Sequence, residues 1–373
     1  MTSCLRKTLW ARTPLFLACG LLLGACGEEY APSSAQPGAL PPANQSLAFR
    51  DLADTATTKV TLTSSADYDV ALNEVHIYVR AVNQDGALIT SLNEHNFGIT
   101  LEPKTVGRPV AASETSLTLA VSESRVVGLV IDSSGSMTSA IPAPDGTSTT
   151  RIEVAKESAR LFIDKMSGDD QAAIVDFDDA ARTVQSLTGD KELLTAAVDG
   201  FSADGLTNLG GALTEAVRSV GTRPGKRAVV LLTDGDDTVD TVEGGPTAWF
   251  GQASSSRNQG LQLALRNQLV VFAVGLGDSL SDTGLADLNK FATETGGQFF
   301  QAATAAELTT AFSQTIPAAV DALTPTETYL LTFESAVLPT PGKVVDVPYR
   351  LSVVYENAVA THRDKFNGTY TLR

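Results

Sequence analysis

Val126-Val127-Gly128-Leu129-Val130-Ile131-Asp132-Ser133-Ser134-Gly135-Ser136 decides the fold. Six apolar residues in a row predict a strand covered on both faces, as in a parallel sheet. The run ends abruptly in an acidic, hydroxyl-rich turn. The same grammar recurs downstream: Ala228 to Leu232 is apolar and Thr233-Asp234-Gly235 follows it. Between the two lies Gly205-Leu206-Thr207-Asn208. Taken alone, Asp132 to Ser136 reads equally well as a turn capping a helix. With Thr207 and Asp234 each placed behind a suitable element, the three segments read as one site.

Working outward, the spacing predicts strands alternating with helices. Ile152, Ala155, Ala159, Phe162, Ile163 and Met166 share one helical face. Ala172 to Phe177 is the next strand, and Leu193 to Val198 and Leu209 to Val220 are helices. Leu261 to Leu265 closes another helix before a strand over Leu269 to Val274. Helices at Leu285 to Thr295 and Ala306 to Val320 bracket a short strand at Gln298 to Phe300. This alternation predicts an α/β fold with a doubly wound, mostly parallel sheet. Ligands of such sheets bind at the carboxyl ends of strands, where Asp132 and Asp234 fall.

Asp132 and Asp234 offer carboxylates; Ser134, Ser136 and Thr207 offer neutral hydroxyls. An all-oxygen set suits a hard divalent cation: Mg²⁺ first, with Mn²⁺ and Ca²⁺ as alternatives. Two carboxylates and three hydroxyls leave such an ion electrophilic and open to a further acidic ligand.

The D-x-S-x-S … T … D-G pattern over roughly residues 124–320 resembles a von Willebrand factor A domain with its metal-ion-dependent adhesion site. The resemblance implies direct coordination by Ser134 and Ser136. It implies direct or water-bridged coordination by Thr207, and largely water-bridged contacts from Asp132 and Asp234. It also implies a protein partner whose Asp or Glu completes the coordination; the alternative to adhesion is a scaffold or assembly role in an envelope complex, which would use the same chemistry. Two features depart from the pattern. Leu206 stands where glycine is frequent, and residues 138–150 are long for this position. That stretch, with Pro142, Pro144, Asp145 and Gly146, is expected to be a mobile surface loop, either inert or concerned with partner choice. A second insertion spans Asp236 to Arg257. Its Asp236, Asp237, Asp240 and Glu243 lack EF-hand spacing and are expected to form a solvated acidic loop rather than a second cation site.

The flanks read differently. Residues 51–123 and 323–373 alternate apolar and polar like antiparallel strands, with Asp85-Gly86 as a hairpin turn. No helix is expected in either. The simplest arrangement is one β-sandwich built from both flanks, with the α/β domain (124–322) inserted; two separate β units are the alternative.

Arg6, Lys7 and Arg12 precede an apolar run from Leu15 to Leu23, and Leu23-Gly24-Ala25-Cys26 matches a bacterial lipobox. Residues 1–25 are therefore expected to be a lipoprotein signal peptide, with Cys26 lipidated. Residues 26–50, rich in Pro, Ala and Gln, are expected to be a tether. With Gly27 next to the cysteine, the expected address is the bacterial envelope, the outer membrane before the inner. Cys4 and Cys19 would leave with the signal, so the mature chain would hold no disulfide. The formal charge of −16 becomes −19 without the three signal cations. That balance argues against nucleic acid, and against any membrane contact beyond the lipid. Catalysis is not expected: His76, His95 and His362 all lie in the flanks, and no H-E-x-x-H or G-x-S-x-G accompanies the site.

Overall fold

A computed structural model describes residues 48–101, 108–110, 114–143, 147–239, 255–335 and 343–372. The expected signal peptide, Cys26 and the tether up to residue 47 lie outside the described residues. The amino-terminal flank supplies β1 (Arg50–Asp51), β2 (Thr61–Asp69), β3 (Glu74–Val82), β4 (Phe97–Leu101), β5 (Arg108–Val110) and β6 (Ser116–Ala120). It also contains a 3₁₀ turn at Glu94–Asn96, capped by the Asn93 side chain. The central segment begins β7 (Arg125–Asp132), β8 (Ala140–Pro142), β9 (Ser148–Thr150), α1 (Arg151–Asp164), β10 (Gln171–Phe177), β11 (Ala181–Thr188) and α2 (Lys191–Asp199). It continues α3 (Leu209–Val220), β12 (Lys226–Thr233), α4 (Ser256–Arg266), β13 (Val270–Leu276), α5 (Asp282–Glu294) and β14 (Phe299–Ala302). The segment closes with α6 (Ala305–Thr310), a π-helical turn at Ala311–Thr315, and α7 (Ile316–Asp321). The carboxy-terminal flank is β15 (Thr328–Glu334), β16 (Val345–Asn357) and β17 (Thr361–Leu372).

The central sheet has the order β11-β10-β7-β12-β13-β14. Its strands pair in parallel except β11, which runs antiparallel on β10. The α/β fold with a mostly parallel, doubly wound sheet is therefore present. β7 shows why its sequence is so apolar: alternate residues enter two different cores. Val127, Leu129 and Ile131 pack with α1, α2, α6 and α7, whereas Val126 and Val130 pack with α3, α4 and α5. The chain goes from β7 outward to β10 and β11, then returns to the other side of β7 at β12. The switch point thus lies at the carboxyl ends of β7 and β12, where open α/β sheets place their ligands.

The flanks pair with each other. β6 from one side and β3 from the other enclose β15, while in a second sheet β16 pairs with β17, β4 and β1. Side chains of both sheets meet in one core, including Val75, Ile77, Leu331, Ile99, Leu351 and Tyr370. The central segment leaves this sandwich after β6 and re-enters at β15, two strands that are hydrogen-bonded neighbours.

The sandwich touches the central domain at the amino ends of its strands. Thr222 Oγ1 donates to Tyr78 O at 2.6 Å, and Arg80 Nη2 donates to Gln268 Oε1. Arg227, at the start of β12, is fully buried and donates to Gly221 O at 2.7 Å and to Asn267 O. Those carbonyls end α3 and α4, where a cation complements the helix dipoles. Burial nevertheless pulls its guanidinium down to about 9. Strands of this length put that junction about 25 Å from the carboxyl-end loops.

Two expectations about the insertions are corrected. Residues 138–150 are not simply a mobile loop. β8 and β9 form a ribbon with Ala140 opposite Thr150, and Ile141 is buried in the core beneath it. Pro144, Asp145 and Gly146 lie outside the described residues. The acidic stretch after Asp234 is not simply solvated either. The Asp237 side chain is buried: its Oδ2 accepts from Gly210 N at 3.3 Å and lies 3.8 Å from Arg257 Nε. Asp240 and Glu243 are outside the described residues.

Candidate metal centre

Asp132 is the last residue of β7, and its carboxylate is fixed on both oxygens. Ser134 N donates to Oδ1 at 2.7 Å, and the Thr233 hydroxyl, from the end of β12, donates to Oδ2. Thr233 therefore ties the first and third loops together. The sequence displays it beside Asp234, but only the strand register of β7 and β12 gives it a role. Ser133 turns away from the site, donating to Asp176.

Ser134, Ser136 and Asp234 form a hydrogen-bonded row. The two serine hydroxyls are 3.0 Å apart, and Ser136 Oγ donates to Asp234 Oδ1 at 2.6 Å. Thr207 joins from the second loop. A methyl group built on Gly235 would sit 3.6 Å from both Ser136 Oγ and Thr207 Oγ1, so these hydroxyls face the same spot. The five residues named from the sequence therefore converge. Asp132, Ser134, Thr207 and Asp234 are buried, whereas Ser136 is exposed and marks the opening.

Backbone bonds hold the loops in register. Gly135 N donates to Gly205 O at 3.0 Å and Asp204 N to Ser133 O at 2.8 Å, joining the first loop to the second. Thr238 N donates to Thr207 O at 2.8 Å, and Thr207 N to Thr238 Oγ1 at 2.9 Å, joining the second to the third. Gly205 has φ of +76°, a left-handed conformation that glycine tolerates. Leu206, where glycine is frequent in the resembled pattern, needs no unusual backbone. Its N donates to Asp179 Oδ1 at 2.6 Å and its side chain is 52% exposed beside the opening.

Sequence reading missed the pairings behind the site. Arg151 Nη1 donates to Asp234 Oδ2 at 2.7 Å and to Ser279 Oγ at 2.8 Å. Asp236 Oδ1 accepts from Ser281 N at 3.1 Å. Arg257 Nη1 donates to Asp287 Oδ2 at 2.7 Å, and burial pushes the Asp287 carboxyl up to about 7. A lone arginine or aspartate in sequence carries no signal of such pairing.

The donor set fits a divalent cation. Two fully buried carboxylates share the site, and among the described residues no cluster of three or more His, Cys, Asp or Glu is arranged to hold a metal. The hydroxyls of Ser134, Ser136 and Thr207 lie beside them, an all-oxygen set of the kind that suits a hard ion. Burial, with Asp234 adding repulsion, pushes the Asp132 carboxyl up to about 7. In the metal-free chain this raised value means that the folded state holds the proton more tightly than the unfolded chain. The stabilisation is full below about pH 4 and is lost as pH rises through 7. A cation acts in the opposite sense, because its ligand must be deprotonated. In EDTA the melting midpoint is therefore expected to fall between pH 5 and 8, and Mg²⁺ should recover more at pH 8 than at pH 5. A flat profile in EDTA would contradict the buried pair.

Residues 127–236 match the profile of the von Willebrand factor type A domain. The central segment has the von Willebrand factor type A fold. Among curated proteins, the UPF0353 protein of Mycobacterium marinum is 26% identical over 200 residues, covering 50% of this chain and 58% of that protein. The UPF0353 protein of Mycobacterium ulcerans matches likewise, 26% over 199 residues, with the same shares of the two chains. The chain thus spans little more than half the length of these relatives. Among solved structures, a von Willebrand factor type A protein from Catenulispora acidiphila covers 87% of this chain and 76% of its own, at 16% identity and a TM-score of 0.43. Proximal thread matrix protein 1 from the mussel byssus, described with a zinc-occupied adhesion motif, covers 60% and 50% at 18% identity and a TM-score of 0.41. Likeness at these scores is too slight to carry an argument about function. Type A domains commonly bind proteins through a divalent cation, and this chain brings two carboxylates and three hydroxyls together at the carboxyl ends of β7 and β12.

Proposed function

We propose that this chain binds a protein partner through a divalent cation, Mg²⁺ first, held by Asp132, Ser134, Ser136, Thr207 and Asp234. An Asp or Glu of the partner completes the coordination. The observation that carries the reading is the row of Ser134, Ser136 and Asp234 at a solvent opening, with two buried carboxylates behind it. When bound, the cation supplies an electrophilic centre for an oxygen ligand. The protein's own part is to hold two carboxylates and three hydroxyls on rigid strand ends, so little ordering remains at the moment of binding.

The role is non-catalytic in this reading. Hydrolysis at a metal needs a positioned general base, and the three histidines of the chain lie on β3, on the 3₁₀ turn and on β17, all in the sandwich. We further propose lipid anchoring through Cys26 at the bacterial envelope, the outer membrane before the inner. The lipobox and the basic, apolar leader support it. Among the described residues no helix is long and apolar enough to cross a membrane.

The test is capture of envelope proteins by the detergent-solubilised full chain, in Mg²⁺ and in EDTA, beside Asp132→Ala. A partner held only by the unmutated chain in Mg²⁺ is the expected result. Capture indifferent to both changes would move the binding surface away from the loops. Cys26→Ser separates the anchor from the site: membrane association should be lost and Mg²⁺-dependent capture kept.

A further inference from the structure

We propose that Arg151 is a resident counter-cation of the metal site. It fixes Asp234 for the ion and keeps the ion's own affinity low until a partner's carboxylate joins. The proposal rests on reading the three loops as a metal site.

Arg151 stands in an unusual place. It is the first residue of α1, where the helix end already carries positive character and acidic side chains are favoured. Its side chain is buried and points into the site. Nη1 is shared between Asp234 Oδ2 and Ser279 Oγ, while Nη2 lies 3.7 Å from the exposed carboxylate of Asp278. Nε has no hydrogen-bond partner. The loop after β13 makes room for the group. Gly277 has φ of +79°, and a methyl built there would meet Arg151 Nη2 at 2.8 Å. Ser279 completes the brace by donating its hydroxyl to Asp234 O. Asp234 is thus held from behind through Oδ2 and its carbonyl, and Oδ1 is left facing Ser136.

The electrostatic consequence follows from the count of buried charges, the Asp278 carboxylate being exposed and screened by solvent. Asp132 and Asp234 together would cancel a divalent ion. Arg151, in contact with Asp234, returns one positive charge, so the ion sees a net of one negative charge and stays electropositive. It binds less tightly alone than two buried carboxylates would dictate. A negative ligand from outside then finds uncompensated charge. Metal and carboxylate must strengthen each other's binding by the same factor.

The experiment measures Mn²⁺ binding to the detergent-solubilised full chain by the electron paramagnetic resonance of free Mn²⁺. Arg151→Gln is expected to bind Mn²⁺ about tenfold tighter than the unmutated chain, because a nearby positive charge is gone. Arg151→Lys keeps the charge and is expected to stay within about threefold of the unmutated chain. Asp234→Asn should lose the ion. Equal or weaker binding by Arg151→Gln would overturn the proposal and leave the arginine a brace alone. Tightening in Arg151→Lys equal to that in Arg151→Gln would also overturn it, since charge would not be the cause. An unmutated chain that takes up no more Mn²⁺ than Asp234→Asn would remove the metal reading itself, and the proposal with it. If near-ultraviolet circular dichroism shows Arg151→Gln unfolded, Gly277→Ala decides the matter. Its methyl pushes the guanidinium off Asp234, so about threefold tighter Mn²⁺ binding is expected, and unchanged or weaker binding would overturn the proposal.

Discussion

Asp132→Asn is expected to abolish the thermal stabilisation that Mg²⁺ gives the unmutated chain. An ion present at a hundred times its dissociation constant stabilises by about 2.7 kcal/mol. For a chain of this size that moves the melting midpoint by about 3 °C. The variant should show no rise, because amide for carboxylate removes one of the two negative charges that hold the ion. It should also melt no lower than the unmutated chain in EDTA at pH 8. There the buried carboxylate of Asp132, pushed up to about 7 with Asp234 beside it, opposes folding, and an amide keeps the shape without the charge. A site that binds at some cost to its own fold has this signature. A variant that still gains several degrees from Mg²⁺ would show that the ion binds elsewhere. A variant much less stable in EDTA would show that Asp132 serves the fold rather than the ion.

Leu129→Ala carries the largest expected loss of stability, about 3 kcal/mol by urea unfolding. Leu129 lies at the middle of β7 with no exposed surface, packed among side chains of β10, β12 and the helices on that face. Deleting its methyls leaves a cavity that a central strand hydrogen-bonded on both edges cannot close. The urea midpoint should drop with the slope unchanged. A loss under about 1 kcal/mol would mean that this face is loosely packed, and that the loops at the end of β7 stand on a softer base than the architecture implies.

The sequence was most legible where one physical rule acts without competition. β7 and β12 are buried on both faces, so their apolar runs could be little else, and the hydroxyl-rich turns after them fall at the switch point. β11 escaped notice for the opposite reason. It is an edge strand whose Thr183, Gln185 and Leu187 are only partly buried, so its alternation is muted. The ribbon of β8 and β9 is three residues a side, too short to produce a period, and Pro142 disguises it. The last helix reads as continuous in sequence, from Ala306 to Val320, yet contains the π-helical turn at Ala311–Thr315. Nothing in a run of Ala, Phe, Ser, Gln and Thr marks that change of hydrogen-bond spacing.

At the site, the five donors could be named because hydroxyl and carboxylate types at loop positions state their own chemistry. Their supports could not. Thr233, Arg151, Ser279 and Asp237 act across 27 to 128 residues of chain, for instance Arg151 on Ser279 and Asp237 with Gly210. Such partners are fixed by strand order and loop closure, which a single sequence does not reveal. Asp237 is the clearest case. Among Asp236, Asp240 and Glu243 it reads as one more solvated acid, and only the close approach of α3 and α4 buries it against Arg257.

The most direct test of the three-loop site is anomalous scattering from crystals of the chain grown with Mn²⁺. One peak is expected among Ser134, Ser136 and Thr207, with Asp132 and Asp234 behind it and Arg151 against the far oxygen of Asp234. No peak there, in crystals that hold Mn²⁺ at another place on the chain, would contradict the account.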